Sequence, residues 1–371
     1  MASASDIIVI GAGIVGCAVA YELARRGASV EIVDDRPAGM GATQASAGVL
    51  GPYVEARAEG PLLDLTSRSL DLFDDFVASV SADSGVAIRY RRTGTLDVAT
   101  EEAELSCLVS VAALLARRGV PAELLDRQGV HEIEPHLASE VLGGLLIPSQ
   151  GFVAALDLSR ALVAAARRHG AQLIEHGRVR RISRDGSDLK VETDRGSLAS
   201  NSVVVAAGSW AGQIEVEGAV RVPVRPVRGQ LLHLAWSGPP LRRVTWSDRC
   251  YLVPWDDGTL LVGATVEEAG FDERTTVAGI RDLIEAATEL APQTWAASFL
   301  SARVGLRPAS ADLLPVVGSS DVLRNLMYAT GHYRNGVLLA PLTAVLVAGA
   351  MLENAHDPAL ELTRPDRFGR L

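Results

Sequence analysis

Cysteine is scarce: Cys17, Cys107 and Cys250 are the only three in 371 residues, odd in number and far apart. Neither a disulfide framework nor a metal-ligand spacing can be built from them, so no metal site is expected and a reducing cytoplasm is the fitting compartment. Positive charge is short as well. Thirty-five Lys and Arg face 45 Asp and Glu, a formal net charge of −10. A surface of that sign repels a phosphate backbone, which argues against a nucleic-acid partner. Long apolar runs are missing too. The stretch 337–352 (VLLAPLTAVLVAGAML) is uncharged, but it spans only 16 residues and contains Pro341. A membrane span needs about 20 apolar residues, so a buried core helix in a soluble protein is expected, with no membrane partner. The opening MASASD shows no basic start and no apolar signal segment. Internal repeats, low-complexity tracts and obvious linkers are lacking.

What is present is a chain with 48% hydrophobic residues, ample for a large core and, at about 100–200 residues per domain, for two domains. Residues 6–10 (DIIVI) form a short apolar run suited to a parallel strand buried on both faces. After a glycine turn, 17–26 reads as a helix that Gly27 can cap, and 29–33 (SVEIV) as a second strand. Helical spacing recurs at 62–80, 101–118 and 276–291, and Asp157 is a candidate N-cap for a helix through His169. Strand-like runs lie at 94–99, 172–175, 179–183, 189–193, 202–207, 229–235, 250–255 and 259–264. Two glycine-bearing turns are expected at 305–308 (GLRP) and 331–336 (GHYRNG). Nucleotide-type features thus occur at both ends and near 150–210, with hairpin-like segments between. The expected fold is α/β: a Rossmann-type domain from 1–85, 146–220 and 300–371, interleaved with a smaller sheet-rich (α+β) substrate domain from 86–145 and 221–299.

Gly11, Gly13 and Gly16 make GxGxxG directly after the first strand, opening the next helix. The first glycine permits the tight turn, the second lets backbone approach a pyrophosphate, and the third allows close helix–strand packing. The helix N-terminus adds amide donors and a positive dipole end. Asp34 follows Gly11 by 23 residues, at the end of the second strand, where a carboxylate can accept both ribose hydroxyls. The motif does not choose between FAD and a nicotinamide cofactor. The loop 38–51 (AGMGATQASAGVLG) is almost wholly small residues, suited to packing against a flat cofactor, though a surface loop has the same composition.

The stretch 6–51 resembles the start of the D-amino-acid oxidase family. RCYLVP at 249–254, LVGAT at 261–265, VGLRP at 304–308 and GHYRNGVLLAP at 331–341 are similar to its glycine-oxidase branch. With VRPVRGQ at 224–230 and AAGSWA at 206–211, the similarity covers essentially the whole chain. The resemblance implies noncovalent FAD, since no cysteine sits at the position used for covalent attachment in related sarcosine oxidases. It places Gly11, Gly13, Ile14, Val15, Gly16, Asp34, Asp35, Ala42, Thr43, Ala47, Gly48, Val49, Val179 and the run His332, Tyr333, Arg334, Asn335, Gly336, Val337 and Leu338 on the cofactor side. It gives Arg307 the substrate carboxylate, Tyr251 a hydroxyl that helps hold it, and Arg334 a further substrate-side role. Departures fall on the pocket wall: Arg249 replaces a histidine, and Val266 and Val49 replace methionines.

A guanidinium is a planar fork that binds a carboxylate bidentately and stays charged at any useful pH. Without the resemblance, Arg307 also reads as a surface ion pair, Tyr251 as core and Arg334 as a cap. His332 reads as a hydrogen-bonded structural histidine, so no catalytic base stands out. None is required if the lone pair of a deprotonated amine drives hydride transfer to the flavin, with the clamp acting by orientation. The implied reaction is oxidative deamination of glycine or a similar small amine, giving glyoxylate, ammonia and hydrogen peroxide from oxygen and water. In the family it typically supplies the imine for the thiazole of thiamine. An FAD dehydrogenase for D-amino acids or sarcosine-like amines using an electron carrier is the alternative, and a non-enzymatic flavin-binding interaction protein is a third reading. The resemblance also implies a homo-oligomer.

Overall fold

The computed structural model describes residues 5–55, 59–236 and 238–371; residues 1–4 of the first expected segment lie outside them. The strand Ser5–Ile10 is flanked on both sides by parallel neighbours, Val30–Val33 and the C-terminal half of Gly196–Val205. Val30–Val33 pairs in turn with Gln172–Ile174, and Val203–Val205 pairs with Leu326–Tyr328, all parallel. Ile8 and Val9 are fully buried, which is why this strand carries an unbroken apolar run rather than an alternating one. Antiparallel strands Val179–Asp185 and Asp188–Thr193 extend the same sheet.

Helices Ile14–Arg25, Ala155–Arg168 and Gly336–Glu353 share one buried apolar cluster with the inner strands. Gly336–Glu353 is long and apolar enough to cross a membrane by length and composition, and 67% of it is buried inside the fold. Pro341 cannot donate a backbone hydrogen bond. Close by, the Ser69 hydroxyl enters the helix ladder, donating to the Leu338 carbonyl at 2.6 Å and accepting from the Leu342 amide at 3.3 Å. That insertion ties the first turns of this helix to Pro61–Asp71.

The second sheet runs in the order Ser298–Ser310, Val224–Ala235, Thr259–Gly263, Tyr251–Pro254, Val244–Trp246, Thr95–Ala99, Gly143–Ile147, Glu123–Asp126. Its strands come from two separated stretches of chain, while the first sheet takes its strands from before, between and after them. The two units are therefore interleaved.

Four expectations need correction. The boundaries drawn at 146 and 300 fall within the strands Gly143–Ile147 and Ser298–Ser310, which belong to the second sheet because they pair along Thr95–Ala99 and Val224–Ala235. The helix read over 62–80 is two, Pro61–Asp71 and Phe73–Ser84. Leu72 stands between them, its amide donating to the Ser69 carbonyl at 3.2 Å, a tighter turn than the α-helical repeat. Asp157 does not cap its helix, which starts at Ala155 with Ala154 in the cap position. It lies in the first turn and pairs with Arg89 at 2.7 Å. The helix expected at 17–26 begins at Ile14, because the Thr43 hydroxyl accepts the Ile14 amide at 3.1 Å and stabilises an earlier start.

Candidate active site

A cavity of about 340 Å³ opens where the parallel strands end, lined at its base by Ile10, Val33, Ala206 and Ala329. This is where ligands sit in open α/β sheets. At one end Asp34 is held by two backbone amides. Its carboxylate accepts the Ala12 amide at 2.5 Å and the Arg36 amide at 2.9 Å. Burial pushes its carboxyl up to about 6 against the pull of those two amides, and the neighbouring Asp35 charge adds to the rise. Asp35 is exposed at the rim. The Arg36 guanidinium stacks 4.4 Å over Trp210 and makes a two-pronged pair with Glu273 at 2.8 Å, closing this end with a residue of the second unit.

The middle of the cavity is backbone and small side chains. Gly11 has φ +111°, and a Cβ there would lie 2.4 Å from the Ala206 carbonyl oxygen. Gly16 lies against Gly11 itself, where a Cβ would come within 1.9 Å of the Gly11 oxygen. Gly48, at φ +69°, would drive a Cβ to 1.7 Å from the Val153 oxygen. The small-residue loop is therefore a fitted wall and not a loose surface segment. At the far end Gly336 and Val337 bring the N-terminus of the apolar helix to the cavity.

The part of the cavity facing the second sheet is made of side chains that cross its strands. Arg307 was expected on a tight turn, but it lies inside the strand Ser298–Ser310, opposite Val227. Gly305 and Pro308, which suggested a turn, are tolerated because this strand is at the sheet edge. Arg307 reaches diagonally over Gly229, where a Cβ would stand 2.3 Å from its Nη1. Tyr251 lies directly opposite Gly263 and reaches over it, with a Cβ there 2.3 Å from the hydroxyl oxygen. Its ring packs against Trp246 at 4.7 Å between centroids. The loop 331–336 is zipped to the same strand through the Tyr333 amide and the Pro308 carbonyl, 2.8 Å apart, which brings Arg334 to the cavity mouth.

Of the residues singled out from sequence, Gly11, Gly13, Ile14, Val15, Asp34, Asp35, Ala42, Thr43, Ala47, Gly48, Val49, Val179, Tyr251, Arg307, His332, Tyr333, Arg334, Gly336 and Val337 line this one cavity. Gly16, Asn335 and Leu338 stand behind its wall. Gly16 packs the helix onto the turn, Asn335 holds the N-cap position and Leu338 lies in the core. His332 is buried, sits 3.0 Å from the Thr343 hydroxyl, and burial pushes its imidazole down to about 4. It is neutral near pH 7, the structural histidine expected. Arg249 turns to Glu289 on the helix Val277–Leu290. The sequence reading missed Gly229 and Gly263, whose only signal is a glycine within or at the end of a strand.

A crevice with a ribose-type acid, a fitted glycine wall and a helix N-terminus defines a dinucleotide-binding protein. The chain belongs to the family described as FAD dependent oxidoreductase, which matches residues 6–350. A glycine oxidase of Geobacillus kaustophilus is 35% identical over 364 residues, covering 97% of each chain. The crystal structure of glycine oxidase from Geobacillus kaustophilus superposes with a TM-score of 0.93 at 33% identity, over 98% of both chains. The bifunctional protein ThiO/ThiG of a Nostoc species is 35% identical over 96% of this chain, which spans 54% of that longer protein.

This protein is an FAD-dependent oxidoreductase with an α/β, Rossmann-type cofactor domain, and its residues fit that cofactor. Gly13 and Gly208 line the cavity, and among the described residues a Cβ at Gly13 would have only the Thr43 hydroxyl near it, at 3.6 Å, while one at Gly208 would meet nothing within 4 Å. Side chains at either position would stand in the space the cofactor needs.

Proposed function

We propose that this enzyme oxidises glycine or a similarly small amine-bearing carboxylate, releasing ammonia and glyoxylate through the imine. The observation that carries the reading is the convergence of Arg307 and Tyr251, each given room by a glycine, on the same cavity that meets Asp34 and the helix N-terminus. FAD supplies the hydride acceptor when bound. Arg307 takes the substrate carboxylate, and Tyr251 adds a hydroxyl and an aromatic wall that set the direction of the α-carbon. Arg334 at the mouth adds positive charge on the substrate's approach. With His332 held neutral and turned to Thr343, these residues act by orientation rather than by taking the α-proton. Oxygen is the proposed final acceptor, with water hydrolysing the imine and hydrogen peroxide as the reduced product.

The attachment of FAD is proposed to be noncovalent. Cys250 lines the cavity, but burial pushes its thiol up to about 12, a form that does not attack. The likeness to the ThiO/ThiG protein supports a role in supplying the imine for the thiazole of thiamine, and we propose further that the enzyme works in the cytoplasm as a homo-oligomer. Anaerobic addition of glycine to the yellow protein tests the reaction. Bleaching that reverses on admitting air is expected. Bleaching that persists in air would mean a dehydrogenase using an electron carrier, and no bleaching with any small amine would leave a flavin-binding role without this chemistry.

A further inference from the structure

Arg307 is aimed by a frame that lies outside the cavity. Its Nη1 donates to the main-chain carbonyls of Thr265 at 2.9 Å and Arg228 at 3.3 Å. Both carbonyls belong to segments locked to one another. The Arg228 amide donates to the Glu267 carbonyl at 2.9 Å, and the Glu267 amide returns a bond to Arg228 at 3.0 Å. The Gln230 amide donates to the Thr265 hydroxyl at 2.9 Å, and the Thr265 amide to the Gln230 carbonyl at 3.2 Å.

Two side chains knit this pairing. The Glu267 carboxylate accepts from the Thr265 hydroxyl at 2.5 Å and from Gln230 Nε2 at 2.8 Å on one oxygen. On the other it accepts from Arg228 Nε at 3.1 Å and Nη2 at 2.5 Å. Gln230 is fully buried, and its amide also donates to the Thr276 hydroxyl and accepts the Thr276 amide, at 2.8 and 2.9 Å. Neither Glu267 nor Gln230 is among the residues lining the cavity. A charged carboxylate with four donors, beside a buried amide bonded at both ends, is a stiff element. Here it stands directly behind the two carbonyls that fix a guanidinium.

We propose that Glu267 and Gln230 are positioning residues for the carboxylate clamp, holding the Arg228 and Thr265 carbonyls that direct Arg307 into the cavity. The inference rests on the proposed role of Arg307 in the same site. It differs from a general structural role in one respect: the effect must pass through Arg307.

The test is calorimetric titration of the FAD-loaded protein with glycolate, a carboxylate of glycine's size that lacks the amine. Glu267→Ala, Gln230→Ala and the length-preserving Glu267→Gln are compared in two backgrounds, Arg307 and Arg307→Lys. In the first, each substitution should weaken glycolate roughly tenfold, the scale of one charge-assisted hydrogen bond. In Arg307→Lys, which has no fork left to direct, the change should be less than about twofold, so that the pair is strongly non-additive. FAD affinity should stay at the wild-type value throughout. Equal weakening in both backgrounds, or none in either, overturns the proposal. If glycolate does not bind the wild-type protein, the clamp falls and the positioning role with it. If glycolate binds through Arg307 while glycine fails to bleach the flavin, the proposed reaction fails and the positioning role stands.

Discussion

The two ends of the active-site cavity are built by opposite methods. The cofactor end is made of backbone: Gly11, Gly16 and Gly48 bring main chain so close that a Cβ would strike a carbonyl oxygen at 2.4, 1.9 and 1.7 Å respectively. The substrate end is made of side chains: Arg307 and Tyr251 cross neighbouring strands over Gly229 and Gly263, where a Cβ would strike the tips of those side chains. The difference lies in what can move. Backbone at the cofactor end is tied by main-chain hydrogen bonds, among them the Gly11 amide to the Val33 carbonyl at 2.8 Å and the Val153 amide to the Gly48 carbonyl at 2.9 Å, whereas an arginine fork or a phenol ring can swing aside. Glycines at the first end should therefore guard the fold and FAD, and glycines at the second should guard substrate recognition alone.

The largest expected effect breaks the first end. Gly48→Ala adds a methyl facing the Val153 oxygen and keeps a residue with φ +69°. Backbone strain and overpacking together should cost roughly 3 kcal/mol or more. FAD content should fall sharply, and the melting temperature by roughly 5 °C or more. A variant that melts and binds FAD like the wild type would show that the Gly48–Val153 contact is not a fixed wall.

Next is Gly229→Ala, a change of the same chemical size with a different outcome. The new methyl displaces the Arg307 fork, at 2.3–2.4 Å, and leaves strand pairing intact. A carboxylate that loses its aligned partner should bind about 2 kcal/mol less well, roughly thirtyfold. Anaerobic stopped-flow reduction with glycine reads that loss, and FAD content should be unchanged. Loss of FAD as well would erase the proposed division between the two ends.

This division also explains what could be read in the sequence. The strand–glycine–helix–strand opening is local, spanning residues 5–33, so spacing and composition were enough to place Gly11, Gly13 and Asp34. The interleaving of the two units was legible because strand-like and nucleotide-like segments alternate along the chain. Arg307 and Tyr251 were found through resemblance to a family, since nothing within their own strands distinguishes a clamp from core or surface. The turn read at 305–308 failed because glycine and proline punctuate most chains, yet an edge strand tolerates both. Gly229 was illegible for a plainer reason: its neighbour is an arginine of another strand, and pairing across a sheet is not written locally. The Thr43 bond to the Ile14 amide escaped in the same way, joining residues 29 apart.

A smaller effect sharpens the cofactor end by pH. Burial holds the Asp34 carboxyl up to about 6 in the protein without ligand. Ionised, it can accept ribose hydroxyls; protonated, it loses acceptor capacity. FAD affinity should thus be full above about pH 7 and decline as pH falls through 6, by about tenfold at pH 5. His332, pushed down to about 4, stays neutral over that window and does not add to the slope. Fluorescence titration of the apoprotein with FAD at pH 5, 6 and 7 measures it, and Asp34→Asn should flatten the curve. A slope that persists in Asp34→Asn would move the titrating group elsewhere, with Asp35 the next candidate.

The smallest effect separates the two parts of Tyr251. Its ring is fixed by Trp246 at 4.7 Å and by the slot over Gly263, so Tyr251→Phe should leave the ring where it is. Only the hydroxyl is lost, worth about 0.5–1.5 kcal/mol for an ordinary hydrogen bond, or roughly 2- to 12-fold in glycine affinity. The limiting rate of anaerobic flavin reduction should change even less, because orientation is shared with Arg307, which the substitution does not touch. Tyr251→Ala, by contrast, empties the slot and removes the wall, so its penalty should exceed that of Phe. FAD affinity should be equal in all three proteins. A loss of a hundredfold or more in the limiting rate for Tyr251→Phe would overturn this assignment, because a hydroxyl that only orients cannot have so large an effect on the step itself. Tyr251 would then be moving a proton, and the side-chain end of the cavity would be doing chemistry as well as holding the substrate.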